Sequence, residues 1–242
     1  MRALAAVFAH PDDETFATGG TLARYARDGV HVTLYCATDG DAGRASGVPF
    51  SSREELGRIR RAELLRACAV LGIQRVEHGG HPDGALAAAD PDLVIGQIVG
   101  FLRRERPQVV LTFGPEGAPT GHRDHKAISR FATSAVLLAG TTAFPEQLAS
   151  GLTPHRPERL CYVTWPMPFP GDRPAQEGQP IQLRVPIEPW HETKLDAFFA
   201  HRTQLEHEAY FRTVALSTTE DYFVATGARG IGDDLFAGIA PA

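Results

Sequence analysis

The chain has 242 residues, of which 43% are hydrophobic and 22% charged, and a formal net charge of −5. That composition excludes a disordered or collagen-like chain, and the length is enough to bury one sizeable core. The acidic balance gives no nucleic-acid footprint, because the basic runs at 59–66 and 102–106 fall on predicted helix faces beside acids.

Taken from the N-terminus, residues 4–9 form an apolar run that predicts a buried strand ending at His10. A helix is predicted over 20–27, a second strand over 31–37 and a long helix over 53–71. A short strand at 75–78 follows, then a helix over 91–104 that opens with Asp90 as N-cap and Pro91 at its first position. The strand at 108–113 runs on to a polar cluster at 121–125, which leads into a helix over 124–138. Strands at 159–164 and 181–185, a long turn at 166–180, a helix over 190–205, a closing strand at 221–225 and a glycine-rich tail complete the chain. Strand and helix alternating in this way predict an α/β fold: one Rossmann-like, doubly wound, mainly parallel sheet with helices on both faces, spanning 1–242 as a single domain.

Cys36, Cys68 and Cys161 are odd in number and widely spaced, which reads as three reduced, packed thiols. The apolar run after Met1-Arg2 is too short for a signal peptide, and no span of about 20 apolar residues follows. A soluble, cytoplasmic protein without a membrane segment is expected, and a homo-oligomer is compatible with the loops at 140–159 and 166–180.

In open α/β sheets the site lies beyond the carboxyl ends of strands, where this sequence places AHPDDE at 9–14 and GHRDH at 121–125. Two imidazoles and a carboxylate are a donor set suited to catalytic Zn²⁺ with one open position. Of the adjacent Asp12 and Asp13, one can ligate while the other takes a proton. His122 and His125, three residues apart, face the same way on a first helical turn, so one can ligate while the other polarises a carbonyl. Asp124 is placed to orient an imidazole. Either cluster alone is as compatible with a turn or a cap; the pair of them points to a metal or catalytic site. On the 53–71 helix, Arg60 and Glu63 interrupt the apolar stripe of Leu56, Ala67 and Leu71, and either pair with each other or send Arg60 into the cleft.

These motifs resemble the LmbE-like, or PIG-L-like, de-N-acetylases, the family of the mycothiol- and bacillithiol-pathway deacetylases and of N-acetylglucosaminyl-phosphatidylinositol deacetylase. The likeness runs through TDGDAG at 38–43, RxxE at 60–63, PDG at 82–84 and KLDAFFAHRTQ at 194–204. It implies a zinc-dependent hydrolase that removes the acetyl group from an N-acetylglucosamine-type substrate. One Zn²⁺ would sit on His10, Asp13 and His125, with Asp12 as general base and His122 as electrophile assisted by Asp124. Arg60 and Asp83 would contact sugar hydroxyls, and the partner would be a small N-acetylated sugar. A thiol-sugar conjugate is an alternative amide. His201 and Gln204 match a late motif that reads as a structural helix contact. Where the family often has proline in the second cluster this chain has Arg123, a change at the cleft rim or toward an anionic substrate. A non-catalytic sugar- or nucleotide-binding protein is the rival from another class, but Gly19-Gly20 lacks the G-x-G-x-x-G fingerprint. A metal phosphoesterase commonly needs two metals, and this set holds one comfortably.

Overall fold

A computed structural model describes residues 1–165, 178–215, 217–227 and 232–240. Residues 166–177 of the predicted turn, and 228–231 and 241–242 of the glycine-rich tail, therefore lie outside the described residues. One sheet carries all seven described strands: β1 (Ala3–Phe8), β2 (His31–Thr38), β3 (Arg75–His81), β4 (Val109–Phe113), β5 (Arg159–Thr164), β6 (Leu183–Pro186) and β7 (Thr219–Thr226), in the order β3-β2-β1-β4-β5-β7-β6. The first five are parallel, whereas β7 runs antiparallel to both β5 and β6. The expected mainly parallel α/β architecture is therefore present, with an antiparallel edge.

β1 is buried along its whole length because both neighbours and both faces are covered, which is why it reads as a continuous apolar run. The helices are α1 (Asp13–Arg27), α2 (Arg53–Leu71), α3 (Pro91–Glu105), α4 (Arg123–Ala139), the short α5 (Pro145–Ala149), α6 (His191–Ala200) and α7 (Glu208–Ala215). Ser52 caps α2 by accepting the Glu55 N–H at 3.1 Å, and Asp90 caps α3 through Asp92 N–H at 3.0 Å.

Two predicted helices differ from the observed ones. α1 begins at Asp13 rather than at residue 20, so Gly19-Gly20 lies inside it and not in a loop. The glycines and Thr15, Thr18 and Thr21 lower helix propensity, but packing overrides it: a Cβ at Gly20 would stand 2.6 Å from the Ile187 side chain. The helix predicted over 190–205 ends at Ala200, and the chain continues as a 3₁₀ stretch, Arg202–His207, into α7.

The sheet order reverses at β1 and β4, and the loops after these two strands carry the two polar clusters to one place. Among the described residues no helix is long and apolar enough to cross a membrane.

Candidate active site and metal centre

β1 ends at Phe8, and the next residues turn at once into α1, so His10, Asp12 and Asp13 project from one tight corner. The Asp13 Oδ2 accepts the backbone N–H groups of Ala9 at 3.1 Å and His10 at 2.8 Å, which pins the carboxylate at the mouth of the sheet. The His10 Nδ1 stands 3.5 Å from Oδ2 and the His125 Nε2 3.1 Å from Oδ1. These two imidazoles outweigh the effect of burial and hold the Asp13 carboxyl well below the usual carboxylate range.

The other nitrogen of His10 meets two carboxylates. Its Nε2 lies 3.1 Å from Asp83 Oδ1 and 3.4 Å from Asp124 Oδ2. A metal-bound imidazole ordinarily gives its second ring N–H to a carboxylate, which fixes the tautomer and leaves the first nitrogen free to ligate. His10, Asp13 and His125 offer two imidazoles and a carboxylate, a donor set that could hold a divalent cation, with Asp83 and Asp124 behind the first imidazole. His125 is stacked flat on Phe113, with centroids 4.0 Å apart and planes 11° apart, and its Nδ1 is 3.4 Å from Thr120 Oγ1. Among the described residues two other sets of potential ligand atoms lie within 4.8 Å of one another, one nitrogen each from His10, His122 and His125, and His10 with the carboxylates of Asp83 and Asp124, and either could also hold an ion.

His122 is the N-cap of α4: its Nδ1 accepts the Asp124 N–H at 3.2 Å. The neutral ring therefore carries its proton on Nε2. Burial and the neighbouring imidazoles push its pKa down to about 4, so the ring is a neutral donor at ordinary pH. The Asp124 carboxylate takes no hydrogen bond from the His122 ring; its Oδ2 accepts the Gly84 N–H at 2.8 Å and faces His10.

Asp12 sits at φ 122°, ψ −28°, a region that aspartate rarely occupies and that costs about 1–3 kcal/mol. Its Oδ2 accepts from Arg60 Nη2 at 3.0 Å. Burial raises its carboxyl to about 6, against the pull of Arg60. Arg60 does reach the cleft, but its guanidinium is also engaged by Pro11 O at 2.6 Å and Gly40 O at 2.9 Å. Glu63 does not pair with it and instead accepts the Thr203 N–H at 3.1 Å and hydroxyl at 2.6 Å. The glycine at position 40 has φ +66°, and a Cβ there would stand 2.5 Å from Arg60 Nη1, which gives TDGDAG a physical reason.

The cleft over these groups has a volume of about 410 Å³. All eight site residues named from the sequence are in it or against it. Asp83 lines the wall, but its oxygens are turned to His10 and, at 3.1 Å, to the Ala42 N–H. Arg123 is exposed at the start of α4 and is not among the lining residues described. Phe16, Trp165, His207 and Tyr210 also line the cleft. Sequence reasoning missed them; only their aromatic character, on elements that were misread or left unassigned, could have signalled them.

The model for the PIG-L family, described as GlcNAc-PI de-N-acetylase, matches residues 5–136. This chain belongs to that family. Its class of reaction is N-deacetylation. Among curated relatives, the 1D-myo-inositol 2-acetamido-2-deoxy-alpha-D-glucopyranoside deacetylase of Rhodococcus opacus is 33% identical, the alignment covering 98% of each chain. Among solved structures, the N,N'-diacetylchitobiose deacetylase of Pyrococcus horikoshii, in complex with an inhibitor, superposes with a TM-score of 0.76 at 25% identity, over 99% of this chain and 87% of that one. A 4-carboxy-2-hydroxymuconate hydratase of Pseudomonas putida shares the fold, with a TM-score of 0.75 at 19% identity over 93% of this chain and 95% of that one. The fold therefore hosts more than one chemistry, and the site must carry the functional argument.

Proposed function

We propose that this PIG-L family member, acting as one domain over 1–242, hydrolyses the acetamide of an N-acetylglucosaminyl conjugate, releasing acetate and a free sugar amine. The observation that carries this reading is the meeting of the corner after β1 with the start of α4, which sets His10, Asp13 and His125 together and holds the half-buried Asp12 carboxylate beside them. Zn²⁺ would be held by His10, Asp13 and His125; when bound it supplies Lewis acidity, polarising a carbonyl oxygen and easing removal of a proton from water. The Asp12 carboxylate takes the proton of the attacking water. The His122 Nε2–H donates to the carbonyl oxygen as charge develops there, a role that suits a neutral ring. As the C–N bond breaks, the proton held on Asp12 passes to the departing amine nitrogen. Arg60 acts from behind Asp12, with its Nε turned away from any partner among the described residues. The relatives named for inositol and chitobiose substrates both act on acetamido sugars, which supports the substrate class.

Incubation with N-acetylglucosaminides, scored by primary amine release with and without a chelator, tests the reading. Activity should vanish with chelator and return with zinc. His125→Ala should lose stoichiometric zinc. Full turnover by the metal-free protein, or undiminished zinc in His125→Ala, overturns it.

A further inference from the structure

Behind Asp12 lies a buried pair that the proposed chemistry does not use. The Asp12 N–H donates to Glu14 Oε2 at 3.0 Å, and Glu14 Oε1 accepts from His201 Nε2 at 2.8 Å. Glu14 is 1% exposed and His201 0%. Burying a carboxylate and an imidazole together is expensive, and serving the N-terminal end of α1 does not explain it. The first-turn N–H groups of Thr15 and Phe16 are already taken by Asp12 O at 3.0 and 2.9 Å, and Glu14 is aimed backward, at Asp12. His201 has no partner at Nδ1 among the described residues, and its second contact, Thr15 Oγ1, is long at 3.5 Å. The pairing with Glu14 is therefore the ring's main polar contact. His201 is delivered by the break after α6, where it adopts φ −85°, ψ 66°. That break is the departure from the helix predicted over 190–205.

Asp12 is held from two sides. Arg60 fixes its side chain, and Glu14 fixes its amide in a backbone conformation that an L-residue rarely keeps unaided. We propose that Glu14 and His201 form a positioning couple that locks the backbone of Asp12 and so aims its carboxylate into the cleft. The proposal rests on the reading of Asp12 as proton acceptor. His201 touches no reacting atom; it acts through Glu14.

The experiment compares Glu14→Gln, His201→Ala and His201→Gln with the parent and with Asp12→Asn. It reads kcat and KM for amine release, zinc per chain, and hydrogen exchange of the Asp12 amide in metal-free protein. Glu14→Gln and His201→Ala should lower kcat by about 10- to 100-fold, the cost of a small misplacement, with KM and zinc content held. Exchange at the Asp12 amide should accelerate. His201→Gln, whose side-chain N–H can still donate to Glu14, should recover part of both losses, and it carries the test if His201→Ala does not fold. Unchanged kcat in the folded variants, unchanged protection of the Asp12 amide, or loss of zinc in step with activity overturns the couple. Asp12→Asn separates the two readings. If it remains active, Asp12 is not the base; if it is inactive while the couple variants match the parent, the positioning couple alone is refuted.

Discussion

At the scale of single residues, His122 shows how the backbone commits a side chain. Because its Nδ1 caps α4, Nε2 alone is available to the cleft, and a ring with a pKa pushed down to about 4 stays neutral there. The same ring lies close enough to His10 and His125 to join them around an ion. His122→Ala separates donor from ligand. We expect stoichiometric zinc by elemental analysis together with a fall of about 10²–10³ in kcat, the usual cost of losing one oxyanion donor; loss of zinc would make His122 a ligand. The residue types and spacing of the two clusters made the site legible in sequence. The partner of each ring nitrogen was not. Asp124 faces His10 rather than the His122 ring because Gly84, from the loop after β3, donates its N–H to the same carboxylate oxygen. That is a long-range contact without a local signature.

At the scale of elements, the strands were legible because burial on both faces of a parallel sheet writes continuous apolar runs into the chain. The two helices whose bounds differ from the sequence pattern are both touched by remote carboxylates. Glu63 takes the Thr203 N–H just past the end of α6, and Glu220 takes the N–H groups of Gly20 at 3.0 Å and Thr21 at 2.8 Å inside α1. Glu220 also receives Lys194 Nζ at 2.7 Å, with that lysine 0% exposed, so the KLDAFFAHRTQ stretch ties α6, α1 and β7 together. The pair is asymmetric. Without Lys194, Glu220 keeps two backbone donors, whereas without its carboxylate partner Lys194 is a buried, unpaired cation. Glu220→Gln should therefore destabilise by about 3–5 kcal/mol and Lys194→Met by clearly less, measured by urea unfolding. Equal losses would mean that the backbone donors contribute nothing.

At the scale of the whole molecule, the loops beyond β1, β3 and β4 gather Asp13, Asp83 and Asp124 around His10, and that concentration of charge makes the metal-free fold sensitive to acid. Burial opposes ionisation of Asp83, but the hydrogen bond and charge of His10 prevail and hold its carboxyl at about 2, below its ordinary 3.8; Asp124 is lowered by the same imidazole. A carboxyl with a lowered folded value stabilises fully above its unfolded value and loses that contribution as pH falls through the folded one. For Asp83 that window runs from about 4 down to about 2. Above it, opposing effects meet. Burial lowers His122, His78 and His155, so they weaken the fold as pH drops below 6.5, while Asp12, raised to about 6, gains stability over the same interval. The thermal midpoint of chelator-treated protein should therefore fall gently between about pH 6.5 and 4, where the gain at Asp12 offsets only part of the three histidine losses, and fall steeply below about 4. Asp83→Asn should flatten the steep part, because an amide has no proton to gain and Asp124 alone then faces His10 Nε2. A midpoint that already falls steeply near pH 6, or an acid limb identical in Asp83→Asn, would show that the charge cluster at the sheet's switch point does not govern acid stability.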